Sequence, residues 1–188
     1  MKKSPFPYIF VLACIAFMVI AGIQYQQNQP RGVYSLTVKV ADYTLQGPPT
    51  VTASFIDQVL AQAGSPAAGT GQQLYSLGVK SGIDPIYALA FFHLANYGTT
   101  GEAAITHSLG NVGCVPDRAC IDAKHGGYAV MQSWLDGYTH WYSLILNYIG
   151  QRHLTTVEQI LPKYAPTSSD NDISAVEQDV VQWRAEGS

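Results

Sequence analysis

Ionisable side chains lie around the end of one apolar stretch of this chain. His93 is in the last turn of the stretch, and Glu102 follows the glycine-rich turn after it, directly beyond Gly101. A carboxylic acid held near the end of a rigid, buried helix can transfer protons as a general acid or base. The structural alternatives are a hydrogen-bonded core histidine at position 93 and a solvated turn residue at position 102. Glu102 is therefore the candidate proton donor to test.

Other chemistries find no support in the sequence. It contains no serine or cysteine nucleophile motif and no glycine-rich phosphate loop. The net charge of -3 leaves no basic footprint for a polyanion, so no nucleic-acid partner is expected. No cofactor is expected either.

The apolar stretch itself is predicted to be a central, buried helix. Asp84 is a good N-cap, and Pro85 suits the first helical position, where its missing N–H costs nothing. The residues from 86 to 94 are apolar on every side, which is typical of a helix surrounded by others. Gly98 and Gly101 end this helix in a polar turn.

Further helices are predicted on both sides of the central one. Hydrophobic spacing and caps favour helices over 53–63, 69–81, from Ser133 onward, after a capping box of Thr155 and Glu158, and over about 172–184. The segment from Cys114 to Tyr128 has turn chemistry and is predicted to be a small hairpin. The sequence therefore predicts a mainly α (α+β) domain with a small β-hairpin lobe.

Cys114 and Cys120 are predicted to form a disulfide. They enclose a short loop, and an oxidising compartment would favour their pairing. A metal pair with a nearby histidine is the alternative, but the spacing is not a zinc signature, so no metal is expected.

The N-terminal residues 1–23 are predicted to be a membrane anchor or signal segment. Lys2 and Lys3 precede an apolar run over residues 6–23, and a basic flank stays on the cytoplasmic side. A signal peptide cut after Ala21, followed by secretion, is the alternative, and Cys14 ends a faint lipoprotein box. In each case the bulk of the chain lies outside the cytoplasm.

A linker is predicted between the anchor and the folded domain. Residues 24–51 begin polar and glutamine-rich and include an alternating stretch near 33–40 that is a candidate strand. The folded domain is then expected over residues 52–188.

The central helix and the turn after it resemble the catalytic helix of the bacterial glucosaminidase family, which belongs with the lysozyme-like cell-wall hydrolases. Ala90-Phe91-Phe92 matches the start of the family pattern, and Tyr97-Gly98-Thr99 matches its tail. The glutamate between them does not match. Its position falls on Leu94 when counted from the tail and on Ala95 when counted from the start. Later matches are the Gly110-Asn111 turn, the helix after Ser133 and the Tyr164-Ala165 turn.

The resemblance implies a lysozyme-like domain whose β-lobe lies over a sugar-binding groove. It implies that Tyr97, Asn111 and Tyr128 bind substrate. It also implies that Tyr164 projects into the active site, where its hydroxyl would orient a water or the acetamido group. With the family glutamate missing, Glu102 is the nearest substitute acid.

The second carboxylate of the family would come from the β-lobe, where Asp117 and Asp122 are the acids. The structural alternative for each of them is a turn residue.

The function expected from these observations is that of a membrane-anchored, extracytoplasmic glucosaminidase-like domain. It would act on peptidoglycan or related β-linked N-acetylglucosamine glycans, with weak or lost hydrolysis. Cell-wall glycan is thus the expected partner. The alternatives are a non-catalytic glycan-binding pseudoenzyme and a structural or assembly factor on the same fold.

Overall fold

The structure is a computed structural model, and it describes residues 43–110, 112–122 and 127–187. The predicted anchor over residues 1–23, the candidate strand near 33–40 and the predicted sugar ligand Asn111 lie outside the described residues. Within the described part of the chain, no helix combines the length and the apolar character that a membrane crossing requires.

The described chain is mainly helical, with one small sheet, as the sequence predicts. Its α-helices are α1 (Ala53–Gln62), α2 (Gly71–Ser81), α3 (Pro85–Leu94), α4 (Gly101–Thr106), α5 (Trp134–Arg152), α6 (Val157–Tyr164) and α7 (Asp170–Glu186). A 3-10 turn, Asn96–Gly98, follows α3. Strand β1 (Cys120–Ile121) pairs antiparallel with β2 (Tyr128–Ala129), which forms the predicted hairpin.

Helix α3 is the centre of the fold, and its predicted burial is confirmed. Every residue from Pro85 to Phe92 is buried, and α2, α5 and α7 pack around the helix. Phe91 makes edge contacts with Trp141 of α5 and with Tyr164 of α6, at centroid distances of 5.4 and 5.3 Å. Losing such a buried aromatic ring costs about 3–5 kcal/mol of stability, so the position of α3 is strongly fixed.

The predicted N-cap of α3, Asp84, is also the centre of a buried polar network. Its side chain is 2% exposed and accepts hydrogen bonds from the amide of Ile86 at 3.3 Å and from the hydroxyl of Thr50 at 2.6 Å. The amide of Thr50 donates to it at 3.1 Å, and Arg184 of α7 lies 3.4 Å away. Asp84 therefore joins two distant parts of the chain, at Thr50 and at Arg184, in addition to starting α3.

The segment ahead of α1 is part of the folded body. Leu45 is completely buried, and its neighbours form isolated antiparallel bridges, Thr44 with Thr156 and Gln46 with Ile83. The folded body thus includes residues 43–51, ahead of the boundary that the sequence pattern indicates at residue 52.

The start of α6 corrects one sequence prediction. The capping box uses Thr156 and Gln159, one residue after the predicted pair Thr155 and Glu158. The Gln159 side chain accepts from the amides of Thr155 and Thr156, at 2.8 and 3.4 Å. Two consecutive threonines, each followed three residues later by Glu or Gln, offer both registers, and the structure has the second.

Candidate functional site

A cleft with a volume of about 180 Å³ opens at the C-terminal end of α3. Its lining residues are Leu94, Ala95, Asn96, Thr100, Gly101, Glu102, Ala103, Gly110 and Tyr128. They come from four places: the end of α3, the start of α4, the turn after α4 and β2. The cleft therefore gathers residues that are separated in the sequence.

The floor of the cleft includes both positions where the family pattern expects a glutamate. Leu94 is the last residue of α3 and Ala95 is its C-cap, and both are half-buried. Ala95 lies against Gly110, because a Cβ added to Gly110 would stand 3.0 Å from the Cβ of Ala95. Gly110 also has a φ of +97°, which disfavours any residue with a side chain. The side chains of Leu94 and Ala95 are therefore hydrocarbon, where the family pattern expects a proton donor.

Glu102 is the one carboxylate among the described residues that line the cleft. It lies in the first turn of α4, where a negative charge is favoured by the helix dipole, and it is exposed. General acids of glycosidases typically lie in apolar, water-poor surroundings. Glu102 is thus placed to contact a ligand but is not enclosed as such acids are.

The β-lobe acids do not complete a catalytic pair in the described cleft. Asp117 and Asp122 are both exposed and neither lines it. Asp122 has a φ of +49°, as expected for a turn residue. Glycoside hydrolysis ordinarily uses two carboxyl groups on opposite sides of the scissile bond, and Glu102 is the one carboxylate that lines the cleft in the described part of the chain.

Tyr164 lies behind the cleft lining instead of within it. It is 5% exposed, and its hydroxyl donates a short hydrogen bond to the carbonyl of Gly110. Burial raises the pKa of the Tyr164 phenol, so the hydroxyl remains a neutral donor. Its direct contact is therefore with the backbone that forms the cleft wall.

Tyr97 does not line the cleft either. Its φ is +52°, and its ring stacks on His93 at 4.8 Å. Its carbonyl accepts a hydrogen bond from the hydroxyl of Ser65 at 2.6 Å. Burial, assisted by the nearby Asp179, raises the pKa of the Tyr97 phenol. The ring thus belongs to the contact between α3 and α7.

His93 is not the core residue that the sequence suggests, because its side chain is 45% exposed. It is nevertheless hydrogen-bonded, since its Nδ1 lies 2.5 Å from the carboxylate of Asp179 on α7. This hydrogen bond raises the pKa of the His93 imidazole, against a smaller opposing effect of burial. His93 therefore joins the end of α3 to α7 and does not line the cleft.

Tyr128 is the predicted sugar ligand that the structure does place in the cleft. It is half-buried and pairs with Ile121 across the hairpin. The preceding residue of β1, Cys120, is bonded to Cys114, with a Cα–Cα distance of 5.4 Å that suits a disulfide. The hairpin and this loop together present Tyr128 to the cleft.

An ion pair that the sequence pattern does not predict joins the β-lobe to α5. Arg118, inside the disulfide loop, donates a bidentate pair of hydrogen bonds to the carboxylate of Asp136, and one of the N–O distances is 2.9 Å. Asp136 also accepts the amide of Gln132 at 2.9 Å, while its own amide donates to Ser133 at 3.2 Å, as the predicted cap requires. The hydrogen bond from Arg118 is the main reason why the pKa of Asp136 is lowered. The position of Asp136 in the first turn of α5 can be recognised from the sequence, but no spacing rule identifies Arg118 as its partner.

Comparison of the chain with protein-family models, with curated proteins and with solved structures found no match. In the described ranges, no three His, Cys, Asp or Glu side chains are grouped so that they could hold a metal ion. The function is therefore inferred from the cleft and from the sequence resemblance.

Proposed function

We propose that this protein is a membrane-anchored, extracytoplasmic glucosaminidase-like protein with a lysozyme-like helical domain. Its cleft binds peptidoglycan or a related glycan of β-linked N-acetylglucosamine, and its hydrolysis is weak or lost. The observation that carries this proposal is the convergence of Leu94, Ala95, Glu102 and Tyr128 on one cleft. The resemblance places the missing glutamate at Leu94 or Ala95 and Tyr128 in a sugar groove, and Glu102 is the nearest acid to that position.

The chemistry of the cleft suits a sugar. Glu102, Asn96 and Thr100 supply hydrogen-bonding groups for hydroxyl or acetamido groups on one side. Tyr128 supplies an aromatic ring with a polar tip on another, which suits a ligand that has both C–H faces and hydroxyls. A few convergent polar groups in a partly apolar concave site are typical of ligand recognition.

Weak hydrolysis follows from the missing acid. A positioned general acid contributes roughly 10²–10⁴-fold to the rate of such reactions. Leu94 and Ala95 cannot donate a proton, and Glu102 is exposed. The cleft therefore retains groups for binding without the enclosed proton donor that cleavage needs.

Binding is tested with full-length protein in detergent micelles and purified, insoluble peptidoglycan. Tyr128→Ala is expected to weaken the pull-down by about tenfold, which corresponds to the loss of one aromatic contact. Tyr75→Ala is the matched control, because Tyr75 is also a half-buried tyrosine but does not line this cleft. Equal binding by the wild-type protein and Tyr128→Ala would remove the cleft from the proposal.

Hydrolysis is tested by release of reducing ends from the same peptidoglycan. Leu94→Glu is expected to gain activity over Leu94→Gln, because glutamate replaces a side chain of similar length that already lines the cleft. Ala95→Glu is expected to gain less, since Ala95 is pressed against Gly110.

Two results would change the proposal. Release by the wild-type protein that Glu102→Gln abolishes would make Glu102 the acid of an active hydrolase. A wild-type protein that neither binds nor cuts peptidoglycan would favour a structural or assembly factor instead.

A further inference from the structure

Buried hydroxyl groups surround the turn that forms one wall of the cleft. Thr106 is completely buried, Ser108 is 3% exposed, and their hydroxyl oxygens lie 2.9 Å apart. Burying a hydroxyl costs free energy unless it is hydrogen-bonded, so such a pair is not simple packing. Neither residue was singled out by sequence reasoning.

The two hydroxyls form an ordered chain of hydrogen bonds. Thr106 donates its proton to the carbonyl of Glu102 at 2.8 Å. Its oxygen can therefore only accept from Ser108, because a hydroxyl carries a single proton. Ser108 in turn accepts the amide of Gly110 at 3.2 Å. The chain thus runs from the helix turn that carries Glu102 to the cleft wall at Gly110.

The other polar group of Gly110 is held by a second buried hydroxyl. The carbonyl of Gly110 accepts the hydrogen bond from Tyr164, so side-chain oxygens fix both ends of this residue. A backbone hydrogen bond ties the segment after β2 to the same region, because the amide of Met131 donates to the carbonyl of Thr106 at 2.8 Å. The side-chain hydroxyl groups themselves join the start of α4 to the Gly110 turn.

We propose that Thr106, Ser108 and Tyr164 are positioning residues that hold the Gly110 wall in the conformation that binds glycan. Glycine has the largest conformational freedom of any residue, and Gly110 has no side chain to fix it. The hydroxyl network removes that freedom before a ligand arrives, and such preorganisation strengthens binding. The glycan part of this inference rests on the proposed function, whereas the holding of Gly110 does not.

The conformation of Gly110 can be measured without any ligand. Leucine labelled with ¹³C at the carbonyl, combined with ¹⁵N-glycine, reports only Leu–Gly pairs, and the sequence has two, at Leu77-Gly78 and Leu109-Gly110. Tyr164→Phe is expected to shift the Gly110 signal and to accelerate its amide exchange, with Gly78 unchanged. Tyr142→Phe is the matched control, because Tyr142 is a buried tyrosine that donates to the carbonyl of Leu74 at 3.1 Å and lies against Gly78.

Binding of soluble N-acetylglucosamine tetramer to the full-length protein gives the second measurement. Tyr164→Phe and Thr106→Val are each expected to weaken binding about fivefold, the effect of one net hydrogen bond. Thr106→Ser keeps the hydroxyl and is expected to restore wild-type affinity, although valine matches the shape of threonine better. Tyr142→Phe is expected to bind as the wild-type protein does.

The outcomes separate this inference from the proposed function. An unchanged Gly110 signal in both Tyr164→Phe and Thr106→Val would overturn the inference, even if the wild-type protein binds the tetramer. A shifted Gly110 signal in a protein that binds no tetramer would support the holding role and overturn its glycan purpose. Equal loss of binding in Tyr142→Phe and Tyr164→Phe would also overturn it, since the effect would then be one of general stability.

Discussion

The carboxylates at the two ends of α3 lie in opposite environments. At the N-terminal end, Asp84 is almost completely buried and is met by Thr50, Ile86 and Arg184. At the C-terminal end, the cleft floor is hydrocarbon, and Glu102 is exposed. A buried carboxylate whose oxygens accept several hydrogen bonds serves structure. A general acid requires an enclosed carboxyl group that accepts few hydrogen bonds. Asp84 accepts several hydrogen bonds and Glu102 is exposed, so neither meets this requirement.

Removing the Asp84 side chain is the strongest test of this difference between the two ends of α3. Asp84→Ala is expected to lower the free energy of unfolding by about 3–5 kcal/mol, because it removes the N-cap of α3 and leaves Arg184 without its buried partner. Urea denaturation followed by circular dichroism measures the change. A loss below about 1 kcal/mol would contradict the structural role assigned to this end of the helix.

A smaller loss is expected when only the partner of Asp84 is removed. Arg184 contacts Asp84 at 3.4 Å and the hydroxyl of Tyr87 at 3.3 Å, and its guanidinium lies over the Tyr87 ring. Arg184→Met keeps the apolar packing, so the expected cost is about 1–2 kcal/mol, because Thr50 and Ile86 still bond the carboxylate. Urea denaturation of both single variants and the double variant gives the coupling, and simple additivity would show that the pair does not interact.

The C-terminal end of α3 is expected to respond to pH through His93. Its pKa is raised in the folded state above the ordinary value of 6.5, so the stabilisation by Asp179 is complete below that value. It is lost as the pH rises through the higher, folded-state pKa. The His93 side chain is 45% exposed, and the resulting solvent screening limits the effect to about 0.5–1 kcal/mol. Denaturation of the wild-type protein and Asp179→Asn across this range should converge at high pH; parallel curves would disprove the linkage.

The smallest effect on stability is expected at Glu102. It is exposed and lies in a short helix, so Glu102→Gln should change the free energy of unfolding by less than about 0.5 kcal/mol. The same denaturation assay that detects Asp84→Ala provides the contrast. A large loss would mean that Glu102 supports the fold, and its assignment to the cleft chemistry would then be weakened.

Local patterns predicted most of the helices, because their causes are local, but they did not predict α4. The apolar circumference of α3, its Asp84-Pro85 start and the Ser133 cap depend on residues within a few positions of one another. The contact from Asp84 to Arg184 spans 100 residues, and no spacing rule relates them. The buried segment around Leu45 was missed for the same reason, since its partners are Thr156 and Ile83 on distant elements.

The site was predicted in part. The resemblance predicts Leu94, Ala95 and Tyr128 at one groove with Glu102 as the nearest acid, and all four residues line the cleft. The ring of Tyr97 stacks on His93 and does not line the cleft, and the backbone of Tyr97 is in the left-handed conformation. This conformation is rare for tyrosine, so the sequence does not predict it.

The supporting residues of the site were harder to predict than its lining. Thr106 and Ser108 read as ordinary polar residues of a turn, and only their burial shows that they support the cleft.

The Asp84 network also has a consequence for the order in which the chain can fold. Its members Thr50 and Arg184 lie 34 residues before and 100 residues after Asp84. During synthesis, Thr50 and Asp84 are made long before Arg184, which lies in the last turn of α7. Until Arg184 is available, the carboxyl group of Asp84, which is buried in the folded protein, lacks its guanidinium partner. The nascent chain is therefore expected to remain open around the start of α3 until its final helix docks.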